Sequence, residues 1–214
     1  LVRMEFIPST DNLLVQQLNR KQNSSKLYII EATTGNSKII HEENNNAWVD
    51  VFQPGNPYSN DFTNTFIWLN ETKSILWNSE KDGWRHLYQV SLEGKPEILV
   101  TKGNWDFTDI TFIDHKKGYV YFMASPDNAT RNYLYRTRLN GKGTAELVSP
   151  VSLKGTHSYS FSPNGKFASH SFSNSFTRQS NEFITVANQK PLNEKENIIA
   201  WLDSLKVKPG TEFF

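Results

Sequence analysis

The stretch KDGWRHLYQV, residues 81–90, holds an acid, an imidazole, a guanidinium and several aromatic rings within ten positions. Such a cluster reads either as a compact reactive site or as a turn leading into a strand. Asp82-Gly83 supplies a reversal, and Trp84, Leu87 and Tyr88 supply groups to pack. The Leu87-Tyr88 pair also has counterparts at Leu27-Tyr28 and Leu134-Tyr135. A position that recurs along a chain belongs to its architecture, so Arg85 and His86 are read as scaffold.

Working outward, the runs KLYII, SILWNS, GYVYFMAS, YLYRTRL and KFASHSFS alternate polar with aromatic or β-branched residues. Turn chemistry bounds them at Thr34-Gly35-Asn36, Asn140-Gly141 and Pro163-Asn164-Gly165, the pattern of antiparallel strands. Four blocks repeat, led by Phe6, Phe66, Phe112 and Phe161 at steps of 60, 46 and 49 residues. Within them Leu27, Leu87, Leu134 and Phe183 step by 60, 47 and 49. A fourth strand closes three blocks, in SKIIHEE, PEILVTKG and AELVSP, while EFITVANQK in the last block is looser. Units of four short strands every 40–50 residues or so mark β-propeller blades, each of which must lean on neighbours to bury its faces. The expected fold is all-β: a partial β-propeller of about four blades of four antiparallel strands, with a short C-terminal helix.

Two segments depart from the repeat. Residues 48–66, WVDVFQPGNPYSNDFTNTF, carry Pro54, Gly55, Asn56 and Pro57, which a central strand does not accommodate, so an extended loop is expected. Loops on a rigid scaffold are where binding residues concentrate. At the other end, Asn193 and Glu196 form a capping-box pattern, followed by Ile198, Trp201, Leu202 and Leu205 at helical spacing. Pro209-Gly210 ends that helix and TEFF reads as a new strand. The expected division is 1–192 as partial propeller and 193–214 as helix and strand leading into another domain. A first residue other than Met suits a piece of something longer.

The composition excludes several chemistries. Lys plus Arg number 23 against 22 Asp plus Glu, so no basic face awaits nucleic acid. No 18-residue apolar run is present to span a bilayer as a helix. Cysteine is absent, which removes disulfides and thiolate ligands. There is no Gly-x-Ser-x-Gly turn for a serine nucleophile. His157 near Ser158 and Ser160 reads as a strand entering a turn, not as a catalytic set. The five histidines are scattered without ligand spacing, and no phosphate loop or dinucleotide fingerprint occurs, so neither metal nor cofactor is expected. Glu42-Glu43 is read as part of a solvated loop between blades, and the sequons at Asn23, Asn70 and Asn128 as exposed turns.

The stretches AWVDVFQPGNP, NSEKDGWRHLYQVSLEG, LVTKGNWDFTDI, GYVYFMAS, YLYRTRLNGKG and HSYSFSPNGKF resemble the N-terminal β-propeller region of dipeptidyl-peptidase IV-like serine peptidases, in the prolyl oligopeptidase superfamily. The similarity runs from RMEFIP to TEFF, and DGWRHLY followed by TKGNW is its most specific part. The resemblance implies the later half of an eight-bladed propeller that caps a C-terminal α/β-hydrolase domain, with the catalytic Ser, Asp and His beyond Phe214. Lack of Cys points to a bacterial member, since the animal ones are similar but disulfide-bonded. The family's paired-glutamate clamp stands in an aromatic context that Glu42-Glu43 does not share, so that role is not carried over. The family also places a Phe-Arg pair after a Trp-Val, reaching towards the substrate cavity. Here Trp48-Val49 is followed by Phe52-Gln53, which makes Phe52 and Gln53 the expected cavity rim and removes the charge contact.

The function implied is that of a non-catalytic propeller portion of a serine exopeptidase that is periplasmic or otherwise exported. Such an enzyme releases N-terminal dipeptides with Pro or Ala second. The expected partners are peptide substrates, the hydrolase domain of the same parent chain, and a second parent copy as a homodimer. The competing reading is a free-standing propeller-like module that binds a protein partner without peptidase activity.

Overall fold

A computed structural model describes residues 3–51, 66–69, 71 and 73–192. They form four antiparallel sheets, each with its four strands in simple chain order. The first sheet contains β1 (Arg3–Phe6), β2 (Asn12–Leu18), β3 (Ser24–Glu31) and β4 (Ser37–Asn44). The second contains β5 (Ile67–Leu69), β6 (Ser74–Ser79), β7 (His86–Ser91) and β8 (Ile98–Leu99). The third contains β9 (Phe107–Asp114), β10 (Tyr119–Ala124), β11 (Tyr133–Arg138) and β12 (Glu146–Leu147). The fourth contains β13 (Thr156–Phe161), β14 (Phe167–Ser173), β15 (Ser180–Thr185) and β16 (Lys190–Pro191). The architecture is that of a partial β-propeller with four blades.

The chain divides into two compact units: Leu1–Asn104 with the turn Arg138–Thr144, and Trp105–Thr137 with Ala145–Phe214. In the first, Leu14 and Leu27 of one sheet meet Ile75, Trp77, Tyr88 and Val90 of the next, with Ile7 and Phe66 closing the cluster. In the second, Tyr121, Met123 and Leu134 meet Ala168, Ile184 and Val186. Full burial of one such aliphatic side chain contributes roughly 1.5–3 kcal/mol. This is why a sheet with an apolar face seeks a neighbour.

The opening stretch falls where the repeat places it. Asp82 caps the turn by accepting from the Trp84 N–H (3.3 Å), Gly83 takes a left-handed φ of 95°, and β7 begins at His86. Leu27, Leu87 and Leu134 are all buried core residues. The fourth member of that series is not Phe183, which is 62% exposed, but Ile184, which is fully buried. Because strand side chains alternate faces, a one-residue slip in the alignment exchanges core for solvent. The last block also has its closing strand: β16 pairs with β15 through Ile184 opposite Pro191 and Thr185 opposite Lys190. Its two residues, one of them Pro, carry no alternation to announce it. The helix and strand expected over 193–214, and the boundary before them, lie outside the described residues.

Candidate functional site

Phe52 and Gln53, the expected rim, lie outside the described residues; residues 48–51 before them and Phe66 after them do not. Trp48 is exposed and Val49 is buried, its N–H donating to the Gln22 carbonyl at 2.7 Å. Asp50 accepts from Asn78 Nδ2 at 3.4 Å and lies 3.3 Å from Arg85 Nη2. Arg85 also donates through Nε to Glu80 Oε1 at 3.3 Å. The arginine of the opening stretch therefore holds the residue two positions before Phe52. Where the chain resumes, the Phe66 N–H and Trp68 Nε1 donate to the two oxygens of Glu5 at 3.1 and 3.0 Å. The Arg3 guanidinium lies 4.9 Å from the Phe66 ring centre and 5.3 Å from that of Trp77. Burial lowers the Arg3 pKa to about 10, against the pull of Glu5, and the group stays charged at neutral pH.

Beside this stem lies a buried polar network that sequence reasoning missed. Glu42 and Glu43 are not in a solvated loop; they lie within strand β4, which runs to Asn44. Glu42 faces solvent beside Lys26 (3.4 Å), while Glu43 is buried; a bulge, which pairs Tyr28 with Ile39 but Leu27 with His41, shifts the alternation so that His41 and Glu43 face inward. Ser79 Oγ donates to Glu43 Oε1 at 2.6 Å and Trp77 Nε1 to Oε2 at 3.2 Å. Burial pushes the Glu43 carboxyl up, but His41 (3.9 Å) and those two donors outweigh it and hold it below the ordinary range. His41 packs edge-on to Trp77 with ring centres 5.5 Å apart. His86, itself buried, contacts Asp82 Oδ2 through Nδ1 at 2.8 Å. For Asp82, too, the hydrogen bonds, from His86 and Tyr88, prevail over burial and lower its pKa. This arrangement holds charge in place. No serine, histidine and acid come together in it in nucleophilic order.

The tempting set in the fourth sheet also separates. His157 is buried, whereas Ser158 is exposed on the opposite face of β13. His157 Nε2 meets the Leu153 carbonyl at 2.8 Å, and its Nδ1 meets His170 Nε2 at 2.9 Å. His170 Nδ1 in turn meets Glu182 Oε1 at 3.1 Å. A carbonyl has no proton to give, so His157 donates to it through Nε2–H. Burial lowers the His157 pKa, keeping the ring neutral. Among the described residues, no three His, Cys, Asp or Glu side chains are arranged to hold a metal ion.

Four-bladed geometry alone is shared by proteins of many functions. A family model for the dipeptidyl peptidase IV (DPP IV) N-terminal region matches residues 1–179. This chain belongs to that family. Among curated relatives, dipeptidyl peptidase 4 of Trichophyton rubrum is 25% identical over 207 residues, covering 95% of this chain and 26% of that protein. Dipeptidyl peptidase 4 of Arthroderma otae is 27% identical over 159 residues, covering 73% of this chain and 19% of that protein. The crystal structure of Porphyromonas gingivalis dipeptidyl peptidase 4 superposes with a TM-score of 0.72 and 25% identity, over 95% of this chain and 27% of that one. The chain thus spans about a quarter of the length of relatives such as the T. rubrum protein. The Arg85–Asp50 and Glu5–Phe66 contacts lie at the described positions on either side of residues 52–65. Residues 48–51 and 66 are therefore the described part of the candidate site.

Proposed function

We propose that this chain is the propeller portion of a serine-type exopeptidase that releases N-terminal dipeptides with Pro or Ala second, and that it serves substrate access and orientation. The observation that carries this reading is the family match over residues 1–179, together with the superposition on the P. gingivalis dipeptidyl peptidase 4. The physical role is exclusion and alignment. A rigid set of blades admits short or extended chains, and holding the substrate in one register lowers the entropic cost of reaching the transition state. Phe52 and Gln53 form the rim in this proposal, and Arg85 acts as a positioning residue through Asp50. The hydrolase domain that supplies the nucleophile, a homodimeric parent, and export of a bacterial protein, to the periplasm or beyond it, belong to the same proposal. The bacterial assignment draws on the likeness to the P. gingivalis protein.

The test uses the full-length protein and chromogenic Ala-Pro and Gly-Pro substrates, each with and without an N-acetyl block. Hydrolysis of the free amines alone is expected. Phe52→Ala is expected to lower kcat/KM about ten-fold, equivalent to about 1.4 kcal/mol of transition-state stabilisation, without shifting the melting temperature. Failure to cleave either free-amine substrate at any enzyme concentration removes the peptidase reading and favours the binding module. Loss of fold in Phe52→Ala removes the case for that side chain as a cavity residue.

A further inference from the structure

Within the second unit, a cleft of about 530 Å³ opens between the third and fourth sheets, away from every residue assigned above. Three cations line it, Lys117, Arg136 and Lys166, and no carboxylate does. Arg136 is already engaged: its Nη2 lies 2.8 Å from Glu146, and its guanidinium 5.0 Å from the Tyr119 ring centre. Lys117 reaches Asp114 only at 3.8 Å and is largely exposed. Lys166 makes no ion pair among the described residues.

The base of Lys166 is held firmly. Its N–H donates to Asn164 Oδ1 at 3.0 Å and its carbonyl accepts from Val186 N at 2.9 Å. Gly165 beside it has φ 66°, and a Cβ there would meet the Phe112 ring at 2.5 Å, so the turn requires glycine at this position. Across the cleft, Asn188 Oδ1 accepts from Lys190 N at 3.1 Å and from Thr185 Oγ1, which fixes the amide orientation. The Nδ2 hydrogens of Asn188 then remain as free donors. Val148 and Val186 belong to the same lining, with Leu147 and Phe167 partly exposed beside them.

An exposed lysine without an ion partner among the described residues, a spare amide donor and an apolar wall suit an anion that carries an apolar group on one side. We infer that this cleft binds the free carboxyl end of a peptide whose last residue is apolar. The carboxylate is held by Lys166 and Lys117 with Asn188, and the side chain lies against Leu147 and Phe167. The volume admits one or two residues and not a folded partner. The inference does not depend on peptidase activity.

The test is isothermal titration of the full-length protein with N-acetyl-Leu-Phe as the free acid, the same peptide as its C-terminal amide, and inorganic phosphate. The N-acetyl group removes the free amine, so the readout is independent of aminopeptidase turnover. The free acid is expected to bind about ten-fold or more tightly than the amide and than phosphate, with affinity falling as salt is raised. Lys166→Glu is expected to lower that affinity about ten-fold or more, and Lys166→Gln by a smaller factor. Should Lys166→Glu not fold, Lys166→Gln decides, because an exposed neutral side chain leaves the turn intact. Equal binding of acid and amide, phosphate as good as the peptide acid, or no change in Lys166→Gln overturns the inference.

Discussion

The joint between the first and second sheets is charged, and the joint between the third and fourth is aromatic. In the first, Glu5 accepts from Phe66 and Trp68, Glu43 accepts from Trp77 and Ser79, and Arg3 lies over two rings. In the second, Phe112 stacks on Phe161 with ring centres 5.0 Å apart and planes 4° from parallel, and Tyr121 packs on Phe161 at 5.2 Å. The two joints therefore join blades of one architecture by different forces. Directional bonds to a buried carboxylate fix one geometry and fail abruptly when a partner is lost. Stacked rings add a smaller, more tolerant term to the area they bury. The charged joint is also the one next to residues 48–51, where Arg85 holds Asp50.

The most damaging way to break the contrast is Trp77→Ala, which removes both a core ring and a donor to Glu43. A loss of about 3–5 kcal/mol is expected in urea unfolding followed by circular dichroism. Glu43→Leu isolates the polar part. It leaves the Trp77 indole N–H and the Ser79 hydroxyl without their acceptor and should cost about 2–3 kcal/mol by the same measurement. Phe161→Leu is the matching change in the other joint: it keeps most of the apolar volume and removes the stack, with an expected loss of about 1 kcal/mol. If Phe161→Leu proves as costly as Glu43→Leu, the distinction between the joints fails.

Acid sharpens the comparison further. The folded pKa of His157 lies below its unfolded value, so the unfolded chain takes up the proton first. The stability this contributes is complete above about pH 6.5 and is lost as pH falls below that value. Glu43 and Asp82 also have lowered folded pKa values, but as carboxylates they contribute above about pH 4 and lose it as pH falls through their folded values. Hydrogen exchange should therefore show β13–β15 loosening between pH 7 and 5, with β4 and β6 following only near pH 4 and below. His157→Gln should flatten the first phase and leave the second. Simultaneous loosening of both regions would contradict the assignment.

Much of the fold was legible because each strand is short and bounded by glycine or asparagine turns, so the alternation in SILWNS or GYVYFMAS survives in the sequence. Phe183 was misread because Glu182, Phe183 and Ile184 offer two adjacent apolar residues, and alternation alone does not say which one faces in. Glu43 was misread for a related reason. Its neighbours Asn44, Asn45 and Asn46 look like solvent, while its true partners, Trp77 and Ser79, come from a different sheet. At the site, Trp48 and Val49 marked the loop, but no local pattern links Asp50 to Arg85 or Phe66 to Glu5.

By itself the sequence determined the class of fold, the four repeats and their turns, because period-two alternation and turn chemistry are local properties of the chain. Tertiary structure alone decided which acid is buried, which histidines meet, and which arginine pairs with Asp50. Those outcomes depend on side chains brought together from separate sheets, where loss of water makes each polar group's partner a matter of several kcal/mol.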